Sequence, residues 1–493
     1  MNTQTRTPRR GYLRSATLLM ALLILCLPIG IWGLNQAELT AKLDQMVGSS
    51  LVRNADIAIA VFDPSACSEI YAYKSTTSLI PASVVKLFTS AAALTELHPG
   101  YRFQTQIGYR GELKSGALVG DLVIKAGGDP SWSADFFPEG GHQVFEIWAD
   151  SLAAHGISSI SGNIVADTSL YPTQLFSSYW SPHDKARGYA PPISPLSFNK
   201  NALDLEITGA GTVSQPATVV EEHGYGYMSI DNRVKTSARG TGARVSYQRA
   251  TAPHTISITG SVPVNGIVKF TPSIDDPLAF CVQIMTETFR KRGISLSGAY
   301  LAEHSSIDPP SPLFTYSSIK LQDINQVMMK ESSNFMAEML YHYLGGGEKG
   351  TAKAVSELCG RIGIAGPAVK IVDGSGLSRQ NRISPADLGK LLCHSYQQDW
   401  FDTYLQGLAI AGMDGTLKKR FAGADSHAKI FAKSGGMTGI SNLAGYFEGR
   451  DGQLYAFVIF SNKLSSAANG RKWEENICDQ LILFDGVKLK SGN

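Results

Sequence analysis

Charge is scarce in this sequence. Asp, Glu, Lys and Arg make up 17% of its 493 residues, and 44 basic against 42 acidic side chains leave a formal charge of +2. No basic excess marks a nucleic-acid partner. Cysteine is sparse as well: the six, at 26, 67, 281, 359, 393 and 478, contain no CxxC pair, which excludes a zinc ribbon or a thioredoxin-type redox site. Five scattered cysteines beyond Cys26 make no disulfide scaffold, and no pairing is readable from their spacing. The ten histidines include no HExxH, which argues against a metal enzyme. Gly-X-Y periodicity is missing despite 49 glycines and 22 prolines, so collagen is excluded, and no internal repeat of roughly 20–50 residues is visible. The pentapeptide G-x-S-x-G is also absent, which removes serine hydrolases built on that nucleophile turn.

What is present is an ordinary globular composition, 43% hydrophobic, on a chain long enough for two or three domains. Arg6, Arg9, Arg10 and Arg14 precede an almost wholly apolar stretch from Ala16 to Leu34. A basic head before such a run reads as an export signal or a membrane anchor over residues 1–35. It predicts a chain in the periplasm or on the outer face of the cytoplasmic membrane, with N-terminal membrane contact if the segment is kept. Without those four arginines the remainder carries a formal charge of −2.

Along the chain, Asp56–Phe62 and Glu69–Tyr73 read as a hairpin turned by Asp63-Pro64, and Ser83 to Leu97 as a helix ended by His98-Pro99-Gly100. From Tyr101 to Pro272 short alternating runs dominate, with one helical pattern at Val144–His155. Helical texture resumes at Pro277–Lys291 and continues through Ile324–Tyr343, Thr351–Ile362 and Pro385–Tyr396. A second hairpin, Leu443–Glu448 and Leu454–Phe460, and a helix over Ala467–Phe484 close the chain. This order predicts one sheet built from the first and last hairpins, with helices on it, and a long β-rich block inserted between. The expected division is a leader at 1–35, a first part of the main domain at 36–100, an insertion at 101–272 and a second part at 273–493.

Three short patterns carry chemistry, and each recurs by chance. S-x-x-K begins at Ser83, Ser197, Ser317 and Ser426; S-x-N at Ser161, Ser197, Ser332 and Ser491; K-S-G at Lys114, Lys433 and Lys490. Context selects among them. Only Ser83-Val84-Val85-Lys86 opens an apolar-periodic helix, where residues three apart share a face and the amine sits near the hydroxyl. Ser332-Ser333-Asn334 lies at a break in the Ile324–Tyr343 pattern, so its polar side chains can enter a cleft. Lys433-Ser434-Gly435 follows a strand-like alternation, and its glycine would let a substrate backbone lie against the strand edge. The plain alternatives are an N-cap serine with a solvated lysine, a capping segment and a strand-edge lysine. The chosen copies occur once in the order S-x-x-K, S-x-N, K-S-G.

That triplet resembles the class C low-molecular-mass penicillin-binding proteins, the D-alanyl-D-alanine carboxypeptidase/endopeptidases. So do Asp121–Pro130, Asp373-Gly374-Ser375-Gly376-Leu377-Ser378, Asp414-Gly415-Thr416-Leu417 and the long insertion. One departure is Ser434 where that family more often has threonine; it keeps the hydroxyl. The resemblance implies an α/β (α+β) fold of the penicillin-recognising serine transpeptidase/β-lactamase type, with no metal or organic cofactor. It also implies peptidoglycan peptides ending in D-Ala-D-Ala as substrates and β-lactams as covalent inhibitors. It makes Ser83 the nucleophile, Lys86 its base with Lys433 lowering the Lys86 pKa by repulsion, Ser332 a proton relay and Asn334 a holder of the substrate amide. Lys433 and Ser434 would take the terminal carboxylate beside Gly435 and Gly436, and the N–H groups of Ser83 and Gly436 would form the oxyanion hole. Asp373 and Ser375 read either as part of a catalytic-site loop or as a tight turn. The competing functions are a β-lactamase, for which no E-x-x-L-N-like base segment is evident, and a catalytically inactive envelope binding protein.

Overall fold

A computed structural model describes residues 33–170, 176–303, 306, 308–345, 352–364 and 369–486. The basic head and most of the apolar run lie outside the described residues, and among those described no helix is long and apolar enough to cross a membrane.

The first and last hairpins do meet. Asp56–Asp63 pairs antiparallel with Leu454–Asn462, Asp56 opposite Asn462 and Phe62 opposite Ala456. The whole sheet runs in the order Ala409–Ile410, Ile430–Met437, Ile440–Glu448, Leu454–Asn462, Asp56–Asp63, Ser68–Tyr73, antiparallel throughout. Both faces are covered, which is why Ile57–Phe62 is apolar at every position rather than at every second one. Ala58, Ala60 and Phe62 enter one core with helices Lys86–Leu97, Leu321–Lys330, Asn334–Tyr343, Lys353–Arg361, Pro385–Tyr396 and Phe401–Gly407. Ile57, Ile59 and Val61 point the other way, into a second core under Gln36–Val47 and Ala467–Leu481. The helix Gln36–Val47 escaped the sequence reading although Asn35 and Glu38 form a capping box at its start. Trp473 Nε1 donates to Met46 O (2.8 Å) and ties the two helices of this face together.

The inserted block leaves and rejoins the main core at one point. Leu321 N donates to Tyr101 O (2.8 Å), Gln322 N to Pro99 O (3.0 Å) and Ser318 N to Phe103 O (2.9 Å). Between these ends lie a seven-stranded mixed sheet and two three-stranded sheets. The expected end of the insertion at 272 does not match this packing. Strand Ser311–Ser317 pairs with Gln104–Lys114, and helix Pro277–Lys291 buries Phe280, Ile284, Met285 and Phe289 in the same core as Phe145 and Trp148. Residues 273–317 therefore belong with the inserted block. A 3.6-residue period shows that a helix buries one face but not which core receives it.

Candidate active site

The three motifs converge from three separate elements. Ser83 lies on a 3-10 turn, Ala82–Val85, that runs directly into the α-helix Lys86–Leu97. The expected α-helical start is thus a tighter turn, in which residues i and i+3 are nearly eclipsed and Lys86 stands over Ser83. Lys86 Nζ is 3.2 Å from Ser83 Oγ. The turn is pinned from the central sheet: Asn442 Nδ2 donates to Ile80 O and Pro81 O (both 2.9 Å), and Ile80 N donates to Asn462 Oδ1 (2.9 Å). Ala82 takes φ +51, a left-handed conformation a non-glycine residue holds only when its surroundings fix it.

Ser332 sits where helix Leu321–Lys330 breaks from Asn334–Tyr343, with φ +58. Ser333, between the two motif side chains, caps the second helix by accepting from Met336 N (3.3 Å). The capping reading and the cleft reading are both realised, by neighbouring residues. Asn334 Oδ1 accepts from Lys86 Nζ at 2.6 Å, and its Nδ2 donates to Tyr189 O of the inserted block at 2.7 Å.

Lys433 lies on strand Ile430–Met437 and is fully buried; its Nζ donates to Ser332 Oγ (2.9 Å) and Ser434 O (3.1 Å). Ser434 Oγ donates to Thr416 Oγ1 (2.8 Å), which brings the Asp414–Leu417 segment to the site. Gly435 lines the cleft and also has a packing role. A Cβ there would lie 2.6 Å from Pro81 O and 2.9 Å from a Val84 methyl, so its bareness lets the strand press against the Ser83 turn. Gly436 is the glycine with open space around it, on the wall of a cleft of about 480 Å³ that also meets Ser434, Met437, Asn442 and Arg471.

Asp373 and Ser375 are buried and support the site from behind. Asp373 accepts from Gly376 N (2.9 Å), Ser378 N (2.6 Å), Asn381 Nδ2 (2.8 Å) and Trp180 Nε1 (3.0 Å), the last from the inserted block. Ser375 contributes its main chain: its carbonyl accepts from Lys86 Nζ at 2.6 Å, and its N–H donates to Glu338 Oε1 at 2.8 Å. Neither side chain faces the cleft. Gly376, at φ +80, lies so close to Ala82 O that a Cβ would be 2.0 Å away, which locks this loop against the nucleophile turn.

Glu338 escaped the sequence reading. It is 2% exposed beneath the site, one helical turn beyond Asn334 on the same face, and a lone acid within Asn334–Tyr343 was the available signal. Burial pushes its carboxyl up, with Asp373 adding to the effect. Burial also holds the Lys86 amine down to about 7, against the pull of Glu338 and Asp373. Both groups are thus driven toward their neutral forms. Burial holds Lys433 well below the usual lysine range, and Lys86 pushes it further.

These directions fix a hydrogen-bond pattern. Asn334 Oδ1 and Ser375 O can only accept, and a neutral Lys86 has two N–H bonds and one lone pair. Both N–H bonds go to those oxygens, so the lone pair is turned to the half-buried Ser83 hydroxyl. Other copies of the motifs among the described residues bond elsewhere, while Lys490 and Ser491 lie outside the described residues. Ser426 Oγ donates to Asp479 Oδ1 (2.6 Å), Ser197 Oγ to Ser194 O (2.7 Å), and Asn163 N bonds Asp121 in a turn.

A helix-covered antiparallel sheet holding a serine against a neutral buried lysine defines a serine acyl-transfer enzyme. The chain belongs to the D-Ala-D-Ala carboxypeptidase 3 (S13) family, whose model matches residues 39–482. It is 29% identical to a D-alanyl-D-alanine carboxypeptidase of Actinomadura sp. (strain R39), covering 94% of this chain and 89% of that one. It is 24% identical to the D-alanyl-D-alanine carboxypeptidase DacB of Haemophilus influenzae, over 80% of this chain and 82% of that one. The fold is that of the crystal structure of penicillin binding protein 4 (dacB) from H. influenzae, with TM-score 0.77 and 22% identity over 91% of this chain and 99% of the other. The protein is a serine-type D-Ala-D-Ala carboxypeptidase of the penicillin-binding class, as the motif triplet implied.

Proposed function

We propose that the chain removes the terminal D-alanine of peptidoglycan stem peptides through an acyl-enzyme on Ser83. The observation that carries this is the Lys86 amine, buried, held to about 7 and 3.2 Å from Ser83 Oγ. Ser83 Oγ attacks the penultimate carbonyl while Lys86 takes its proton. Ser332, held by Lys433, passes a proton to the leaving D-alanine, and Asn334 holds the substrate amide. Lys433 and Ser434 receive the terminal carboxylate, in a setting where Thr416 already orients the Ser434 hydroxyl. The N–H groups of Ser83 and Gly436 stabilise the tetrahedral oxyanion; a single such donor typically contributes about 10²–10³ in rate. Water then releases the shortened peptide.

A β-lactam presents the same carbonyl and carboxylate, and a related H. influenzae protein has been solved complexed with a β-lactam. We therefore expect acylation of Ser83 by penicillin. The basic head and apolar run support action in the periplasm or on the outer face of the cytoplasmic membrane, with residues 1–35 as leader or anchor.

The test is the intact mass of the protein after excess benzylpenicillin, beside Ser83→Ala. One stable adduct, lost in the variant, supports the assignment. Intact drug with no adduct points to an inactive binding protein, and hydrolysed drug with no adduct to a β-lactamase.

A further inference from the structure

Two cysteines lie side by side although they are far apart in sequence. Helix Pro385–Tyr396 rests on the first hairpin along a single face, residues 389, 393 and 397. Gly389 is bare, and a Cβ there would sit 2.0 Å from the Phe62 ring. At the helix C-cap, two turns beyond Gly389, Gln397 Nε2 donates to Pro64 O (3.3 Å) and Ser65 O (3.4 Å). Cys393 falls between these two contacts, so its side chain points at the hairpin turn that ends with Cys67 at φ +48.

Cys67 is exposed and Cys393 is 1% exposed, and both are free thiols here. Burial pushes the Cys393 thiol up, and the Cys67 thiol interacting with it adds to the shift. Cys281, Cys359 and Cys478 are buried too, but among the described residues no second thiol acts on any of them in this way.

We propose that Cys67 and Cys393 are a modification site, a thiol pair that closes to a disulfide on meeting a disulfide-class oxidant. The exposed Cys67 thiolate attacks the oxidant's disulfide, forming a mixed disulfide and expelling one thiolate. Cys393 then loses its proton and attacks the Cys67 sulfur, expelling the second. Two protein thiols are oxidised by two electrons, and one oxidant disulfide is reduced to two thiols. The bond would staple the first hairpin to the helix that follows the Asp373–Ser378 loop, closing a very long stretch of chain, the case in which a cross-link most restricts the unfolded state. Its formation in the cell rests on the export proposed above, since oxidising compartments are where such bonds persist.

The test is oxidation of the reduced full-length chain with oxidised glutathione, followed by digestion without reduction and mass spectrometry. The expected result is a linked peptide pair bearing Cys67 and Cys393, about 2 Da lighter than its two reduced parts, and absent from Cys67→Ser. Recovery of Cys67 as a glutathione adduct with Cys393 still a free thiol would overturn the proposal, as would Cys67 linked to any other cysteine. The readout is a covalent bond, so it stands or falls independently of catalysis by Ser83.

Discussion

Lysine is ordinarily charged well above neutral pH, so a site that uses one as a base must first take its charge away. Here burial does so for Lys86, and the sign of the consequence is fixed: below about pH 7 the amine is an ammonium with no lone pair, and above it the base is free. Penicillin acylation of Ser83 should therefore rise through pH 7, as measured by adduct formation rate in stopped samples. Whatever negative charge Glu338 keeps opposes the lowering of Lys86, so Glu338→Gln should move this acidic limb to lower pH while keeping the acceptor for Ser375 N. A limb that moves upward would contradict the arrangement. The residues of the three motifs were readable because chemistry demands their types at fixed spacing. Tyr189 was not, because its carbonyl reaches Asn334 from the inserted block, which spacing does not locate; Glu338 was passed over although it lies one helical turn from Asn334.

At the scale of elements, the site depends on one strand pressing on one turn. Gly435→Ala should force strand Ile430–Met437 away from Pro81 and Val84. A displacement of that order costs about 10²-fold in acylation rate, and the melting temperature should fall with it. Gly436→Ala, with nothing within 4 Å of its Cβ, should leave the melting temperature unchanged; thermal melts of the two variants side by side check both. The hairpins of the central sheet were legible because a strand buried on both faces is apolar throughout. The 3-10 form of the Ser83 turn was not, since an i, i+3 pair shares a face in either helix type. The packing of Gly435 on Pro81 and Val84 was not legible either: a glycine in a strand signals close approach without saying what approaches.

At the scale of the whole molecule, the inserted block is wired into the catalytic half through Trp180 and Tyr189. Trp180→Phe removes one donor from the buried Asp373 carboxylate, at a cost of about 1.5–3 kcal/mol, and loosens the loop whose Ser375 carbonyl holds Lys86. We expect a lower melting temperature together with slower acylation. A lower melting temperature with an unchanged rate would mean that the block only stabilises. That an insertion exists was legible from texture; that it extends to Ser317 and reaches back to the site was not, because both depend on pairing partners distant in sequence. The same remoteness governs the central sheet, where Asp56–Asp63 finds its neighbour in Leu454–Asn462. The serine and the K-S-G strand are likewise far apart in sequence, on Ala82–Val85 and Ile430–Met437. Long-range pairing of this kind is slow to form and cannot be completed piecemeal. A chain interrupted during synthesis, or clipped before its final hairpin, has its nucleophile but no partner to hold it. Hydrolytic competence is in effect a certificate of assembly, granted only once the early hairpin has found the late one.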